Sequence, residues 1–330
     1  MPANLTPQYR EAEERYRQAV TPEEKLAALD EMMAIIPKHK GTEHIRADIK
    51  RRISKLRQPD EKKSHGKRGI EYNVEKEGGG QIVLVGPPNV GKSKLLSMLT
   101  KAHPEIGDYP FTTQMPLPGM MPYEDIKFQI VDMPPITEEF TEPWMAALSR
   151  NADAVLLILD MSDGSVLDQI EITLRVLEKF RVRLYGWDRP IPPDETGIIT
   201  ARKTILVANK MDCPDSSDNL DVVRELYADR FPIFSVSSET GDGLEDLKQQ
   251  IFRMLDVVRA YTKIPGKPAD MAAPYVMPRG TTVQELANMV HKDFVQKLKF
   301  ARIWGHGKFD GQMVGREDVL EDRDVIELHV

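Results

Sequence analysis

Four apolar residues, Ile82–Val85, run straight into Gly86-Pro87-Pro88-Asn89-Val90-Gly91-Lys92-Ser93-Lys94, and a helical pattern begins near Gly91. Gly-x4-Gly-Lys-Ser between a strand and a helix constrains the fold more than any other feature of the chain. The glycines let backbone N–H groups turn inward onto phosphate oxygens, and the helix N-terminus adds the positive end of its dipole. In such a loop Lys92 reaches the β- and γ-phosphates and the Ser93 hydroxyl holds Mg2+.

The pattern downstream agrees with a nucleotide fold. Strands are predicted at Ile82–Val85, Ile126–Asp132, Ala154–Asp160, Thr204–Ala208 and Ile233–Val236. Helices are predicted from Gly91, after Ser165, and over Leu220–Tyr227 and Leu244–Leu255. Strands alternating with helices call for an α/β fold, a mostly parallel sheet covered on both faces. Residues 181–200, with Pro190, Pro192, Pro193 and Gly197, read as an irregular insertion.

Upstream, Thr21-Pro22-Glu23-Glu24 forms a capping box before Leu26, Leu29, Met33 and Ile36, and Pro37 ends that helix. A second helix, capped by Thr42, carries Ile45, Ile49, Ile53 and Leu56, so the expectation is a hairpin without a core of its own. Gly78-Gly79-Gly80 reads as a flexible joint. The tail shows strand, helix and strand signals at Tyr275–Met277, Val283–His291, Phe300–Trp304 and Val325–Val330, with Phe300 and Trp304 expected in its core. The resulting division is a helical arm at 1–62, a linker at 63–80, an α/β domain at 81–263 and a small β-grasp-like α+β module at 264–330.

Asp132 ends an apolar strand, where a Walker B aspartate would hold Mg2+ directly or through water. Asn209-Lys210-Met211-Asp212 follows the strand ending at Ala208. Asn-Lys-x-Asp in that place reads guanine: the Asp212 carboxylate accepts both N–H groups of the guanine edge. Adenine would set acceptor against acceptor, a mismatch of about 10⁴ or more in a buried site. Asn209 would contact the other base edge and the Lys210 stem would cover the ring. Ser237-Ser238-Glu239-Thr240-Gly241 resembles the fifth motif of the GTPases, and the resemblance implies that the Ser238 N–H meets guanine O6.

The order of these motifs, with Asp108-Tyr109-Pro110-Phe111-Thr112-Thr113 between them, resembles the Obg superfamily of P-loop GTPases. The flanks narrow the match. Lys40-Gly41-Thr42-Glu43-His44 before a basic helix resembles the developmentally regulated GTP-binding proteins. Tyr261–Lys267, Ile303-Trp304-Gly305 and Val319–Asp322 resemble their C-terminal TGS domain. The resemblance implies a GTPase (hydrolase) switch, with Thr113 as the first-switch Mg2+ ligand, Thr112 its alternate, and RNA or the ribosome as partner.

Two departures stand out. The family's third motif is Asp-x-Pro-Gly, whereas this chain reads Asp132-Met133-Pro134-Pro135-Ile136. Pro135 cannot donate the N–H that the glycine gives to the γ-phosphate. Ile136 stands where a water-orienting glutamine would act, and the relatives likewise place a hydrophobic residue there, so slow hydrolysis is expected. Asn89, in a Pro-Asn-x-Gly-Lys-Ser loop, either holds K+ beside the phosphates or is a polar loop residue without an ion.

Composition bounds the rest. The longest purely apolar run is the six residues Ala154–Leu159, and the single cysteine, Cys213, excludes an intrachain disulfide. The polar start Met1–Tyr16 has no secretory apolar region, so a cytoplasmic chain is expected. The net charge is −7, yet Lys38–Arg68 carries +8 and leaves −15 for the rest. A second basic stretch, Lys292–Lys308, carries +4. A basic arm on an acidic body fits a polyanion contact; a solvated basic helix is the alternative. The seven histidines have no metal-ligand spacing.

Overall fold

The computed structural model describes residues 7–18, 22–36, 46, 49–50, 53, 74–100, 115–139, 141–193, 197–305 and 307–330. The chain divides into two compact units, Met1–Ile70 and Glu71–Val330.

In the first unit, helices α1 (Pro7–Gln18) and α2 (Pro22–Ile35) share an apolar cluster of Tyr9, Ala12, Leu29, Met32 and Ile36, joined by Ile49 and Ile53. The buried stripe of α2 runs through Met32, with Met33 only packed against its edge. The helical arm therefore has a small core of its own, contrary to the expectation of a bare hairpin. The difference comes from α1, which supplies Tyr9 and Ala12. Most of the basic segment 38–68 lies outside the described residues.

The second unit opens with β1 (Gln81–Val85), α3 (Lys92–Thr100), β2 (Leu117–Tyr123) and β3 (Ile126–Asp132). There follow α4 (Pro143–Asn151), β4 (Ala154–Asp160), α5 (Val166–Lys179), β5 (Val182–Gly186) and β6 (Thr200–Asn209). Then come α6 (Ser216–Tyr227), β7 (Ile233–Ser235) and α7 (Leu244–Leu255). The sheet order is β2-β3-β1-β4-β6-β5, with β7 also on β6, and every pair but β2–β3 is parallel. Alternation along the strands splits the core. Val83, Val131, Val155 and Leu157 face one helical layer, while Ile82, Ile130, Leu156 and Ile158 face the other. Both faces are buried, as the apolar runs required.

Three expectations are corrected. Residues 181–200 are not wholly irregular: Val182 and Leu184 are buried in β5, which pairs with Thr200–Thr204 of β6, and the prolines fall in the loop between. Gly78-Gly79-Gly80 is not a free joint either. Gly79 N–H donates to Lys127 O at 2.8 Å, and Gly80 O accepts from Gln129 N at 2.9 Å, so the segment lies along β3. The third correction concerns the domain boundary. Strand β8 (Val257–Lys263), placed in the α/β domain by sequence, pairs in a second sheet.

That sheet, of order β11-β10-β12-β8-β9, contains β9 (Tyr275–Pro278), β10 (Phe300–Trp304), β11 (Gln312–Val314) and β12 (Asp324–His329). Helix α8 (Val283–Val290), opened by a Thr282–Glu285 capping box, buries Leu286 and Ala287 among Val258, Ala301, Ile303 and Ile326. Phe300 and Trp304 lie on the opposite face, where period-two alternation sends them: Phe300 stacks on His329 at 4.3 Å and Lys263 lies over Trp304 at 4.1 Å. They are not core residues.

The small module joins the α/β domain through Arg259 of β8, which is only 3% exposed. Its guanidinium meets Asp322 at 2.7 Å and Asp125 at 2.8 Å, and also pairs with Glu124. Glu124 and Asp125 form the tip of the β2–β3 hairpin. Tyr261 donates to Asp125, Arg323 reaches Glu124 at 2.8 Å, and Phe252 of α7 lies under the guanidinium at 5.2 Å.

Candidate functional site

Because β1, β3, β4 and β6 are parallel, their C-terminal ends meet at one sheet edge, the place where open α/β sheets bind ligands. The loop after β1, Asp132, Asp160 and Asn209 all lie there. Gly86 has φ 151° and Gly91 φ 90°. A Cβ on Gly86 would strike the Ile158 carbonyl, and one on Gly91 the Asn209 amide, so neither position admits a side chain.

Within the loop Lys92 is 7% exposed and donates to Gly86 O at 3.1 Å and Pro87 O at 2.8 Å. Burial lowers its pKa to about 8, against the attraction of Asp132. Ser93 Oγ lies 2.5 Å from Asp132 Oδ2, bringing together the two predicted Mg2+ ligands. Asp132 Oδ1 is buried with no partner, and burial raises this carboxyl above the usual carboxylate range. A hydroxyl beside an orphaned acidic oxygen suits Mg2+, which takes one or two protein ligands and fills its octahedron with phosphate oxygens and water. Among the described residues no cluster of three or more His, Cys, Asp or Glu offers a rival metal cage.

The guanine motif is built around Asn209, which is fully buried. Its Nδ2 donates to Val90 O at 2.8 Å and Ser238 Oγ at 3.1 Å, and its Oδ1 accepts from Ser238 N at 3.0 Å. Asn209 thus ties the phosphate loop to the Ser237–Glu239 loop. This differs from the sequence reading, since the Ser238 N–H is committed to Asn209, not directed at a base. Asp212 is exposed, and Ser237 Oγ donates to its Oδ1. That hydroxyl, first among its influences, holds the Asp212 carboxyl below the usual range and ionised near neutrality. Lys210 Nζ is 2.5 Å from Asp160 Oδ2, and Lys94 pairs with Glu239 at 3.3 Å.

The comparisons agree with this geometry. Residues 81–191 match the 50S ribosome-binding GTPase family and residues 258–330 the TGS domain. An uncharacterized GTP-binding protein of Methanocaldococcus jannaschii is 29% identical, covering 92% of each chain. Developmentally-regulated G-protein 1 of Arabidopsis thaliana is 28% identical over 92% of this chain and 90% of its own. Developmentally-regulated GTP-binding protein 1 of Xenopus laevis is 29% identical over 92% and 98%. The chain is a homologue of the developmentally regulated GTP-binding proteins. In fold, it resembles a GTP-binding protein of Pyrococcus horikoshii OT3, with TM-score 0.52 and 15% identity over 76% of this chain and 99% of that one.

The segment after Asp132 carries two successive prolines. Pro134 and Pro135 have no N–H. The next N–H, of Ile136, donates to Gly86 O at 3.1 Å, and the Ile136 side chain is fully buried in the core. That of Thr137 meets Thr141 Oγ1 at 3.3 Å. Residues 134–137 therefore offer no spare backbone N–H, and Ile136 cannot orient water. Asn89 is exposed with φ 64°, a left-handed conformation that asparagine tolerates well. Thr112 and Thr113 lie outside the described residues. Sequence reasoning missed Asp160, whose only signal was a strand-end acid level with the guanine motif. Among the described residues no helix is long and apolar enough to cross a membrane.

Proposed function

We propose that the chain is a cytoplasmic GTP-binding switch that hydrolyses GTP slowly and acts with RNA or the ribosome. The observation that carries the nucleotide reading is the Asn209 bracket, which ties the base motif of Asp212 to the loop that leads into Lys92 and Ser93, next to Asp132 at the end of β3. In this reading Gly86–Lys94 cradle the phosphates. Asp132, with Ser93 and Thr113, holds Mg2+, while Asn209, Lys210, Asp212 and Ser237–Glu239 surround the base. Bound Mg2+ would neutralise charge on the phosphates. K+ at Asn89 remains part of the proposal, tested by comparing turnover in KCl and NaCl at equal ionic strength.

The hydrogen bond from Ile136 to Gly86 favours a second reading, a guanine-nucleotide-sensing scaffold with negligible turnover. Without a switch N–H for the γ-phosphate, GDP and GTP should bind with similar affinity. Pro135→Gly is expected to raise the preference for GTP by about tenfold to a hundredfold, the worth of one charge-assisted hydrogen bond. Equilibrium titrations of both nucleotides decide it. An unchanged ratio would show that the contact is supplied elsewhere.

RNA or ribosome contact is supported by the basic arm, by the +4 stretch Lys292–Lys308, and by the name of the matched GTPase family. Charge reversal of Arg51 and Arg52 to Glu should weaken RNA binding and flatten its salt dependence while leaving GTP affinity intact. Unchanged RNA binding with a lower melting temperature would instead mean that the arm docks within the protein.

A further inference from the structure

Asp160 ends β4 at the same sheet edge as the nucleotide motifs, and strand register places it directly beside Asn209. It is 8% exposed and held from several sides. Oδ1 accepts from Ser162 N at 2.9 Å and Ser162 Oγ at 2.6 Å, and the Asp160 N–H donates to Gln169 Oε1 at 3.0 Å. Oδ2 is left to face Lys210 Nζ, 2.5 Å away. The carboxylate is thus fixed independently of Lys210.

Lys210 is less constrained. Its backbone has φ 66°, a region that non-glycine residues occupy only where the surroundings impose it. Asn209 anchors it on one side, but the four-carbon stem has free rotors unless its ammonium is held. Asp160 is the group that holds it.

We propose that Asp160 is a positioning residue for the nucleotide base: it tethers the Lys210 ammonium so that the aliphatic stem lies across one face of the ring. The proposal rests on reading Asn209-Lys210-Met211-Asp212 as the base site. The competing role is structural, an ion pair that only secures the end of β4.

A double-mutant cycle with full-length protein separates the two. Asp160→Asn keeps an acceptor for Ser162 but can set an amide NH2 against the ammonium, and Lys210→Met keeps a stem without the charge. Immobilising one long side chain is worth about threefold to tenfold, so Asp160→Asn should accelerate release of mant-GDP by that factor. In the Lys210→Met background the same change should have no effect. Ser162→Ala, which loosens Asp160 without removing it, should accelerate release about twofold, and again only when Lys210 is present. Equal acceleration in both backgrounds, or none in the wild-type background, overturns the proposal. A wild-type protein binding ADP as tightly as GDP overturns the base-site reading, and this inference with it.

Discussion

Asp212→Asn is expected to exchange guanosine for xanthosine selectivity. The Asp212 carboxylate presents two acceptors, and Ser237 fixes one of them by donating to Oδ1. Guanine offers two N–H donors on its Watson–Crick edge, so in the proposed base site both acceptors would be used. An asparagine turns one acceptor into a donor, which then faces the guanine amino group. Xanthine carries a carbonyl there and restores the match. A site built to accept such hydrogen bonds rejects the mismatched base by about 10²-fold to 10⁴-fold, because the loss leaves polar groups unpaired. Competition titrations with GDP, XDP and ADP should show GDP weakened by at least about a hundredfold and XDP strengthened. Retained GDP preference in the variant would move base recognition away from Asp212.

The second large effect is on stability. Arg259 places one buried cation among Asp322, Asp125 and Glu124. Removing it leaves Asp322 and Asp125 without their cation, and Glu124 with Arg323 alone, at the join between the α/β domain and the small module. Loss of one partner from a buried pair costs about 3–5 kcal/mol; the partial exposure of the three acids brings the expectation to about 2–3 kcal/mol. Arg259→Met should therefore lower the melting temperature by roughly 5–10 °C.

The pH dependence has a definite sign. Hydrogen bonds from Arg259 and Arg323 hold Glu124 below its ordinary pKa; the opposing effect of burial is outweighed at Asp125 by hydrogen bonds from Tyr261 and Arg259, and at Asp322 by the Arg259 contacts. Carboxylates depressed in the folded state stabilise it above their unfolded values, about pH 4, and that stability is lost as pH falls through the folded values. The gap between wild type and Arg259→Met should be full at neutral pH and shrink below about pH 4. A gap independent of pH would assign the effect to packing on Phe252.

The phosphate loop, Asp132 and the strand ends could be read from the chain because each is local: an apolar run, a glycine spacing, an acid at a strand end. Val182 and Leu184 carried the same alternation, but four prolines and glycines just downstream masked it. Strand β8 was misassigned for a different reason. Its parallel partner β12 lies far along the chain, and its antiparallel partner β9 follows only after a proline-bearing stretch, so the TGS-like run Tyr261–Lys267 did not show that the strand begins at Val257. The Arg259 cluster, the Asn209 bracket and the Asp160–Lys210 pair join residues distant in sequence, so only the assembled sheets and the loops at their edges bring them together. Pro135 was visible in the sequence. That the following N–H is already spent on Gly86 was not, since it depends on how the segment folds back over the loop.

The central claim is a guanine-specific, Mg2+-dependent site that turns over slowly. Single-turnover assays of full-length protein in excess over radiolabelled GTP, with Mg2+ or EDTA and with ATP as the control nucleotide, test it most directly. Slow conversion of GTP to GDP and phosphate with Mg2+, none in EDTA, and no binding of ATP at the same concentration is the expected result. Equal handling of ATP, or GTP bound but not converted over many hours, would contradict it.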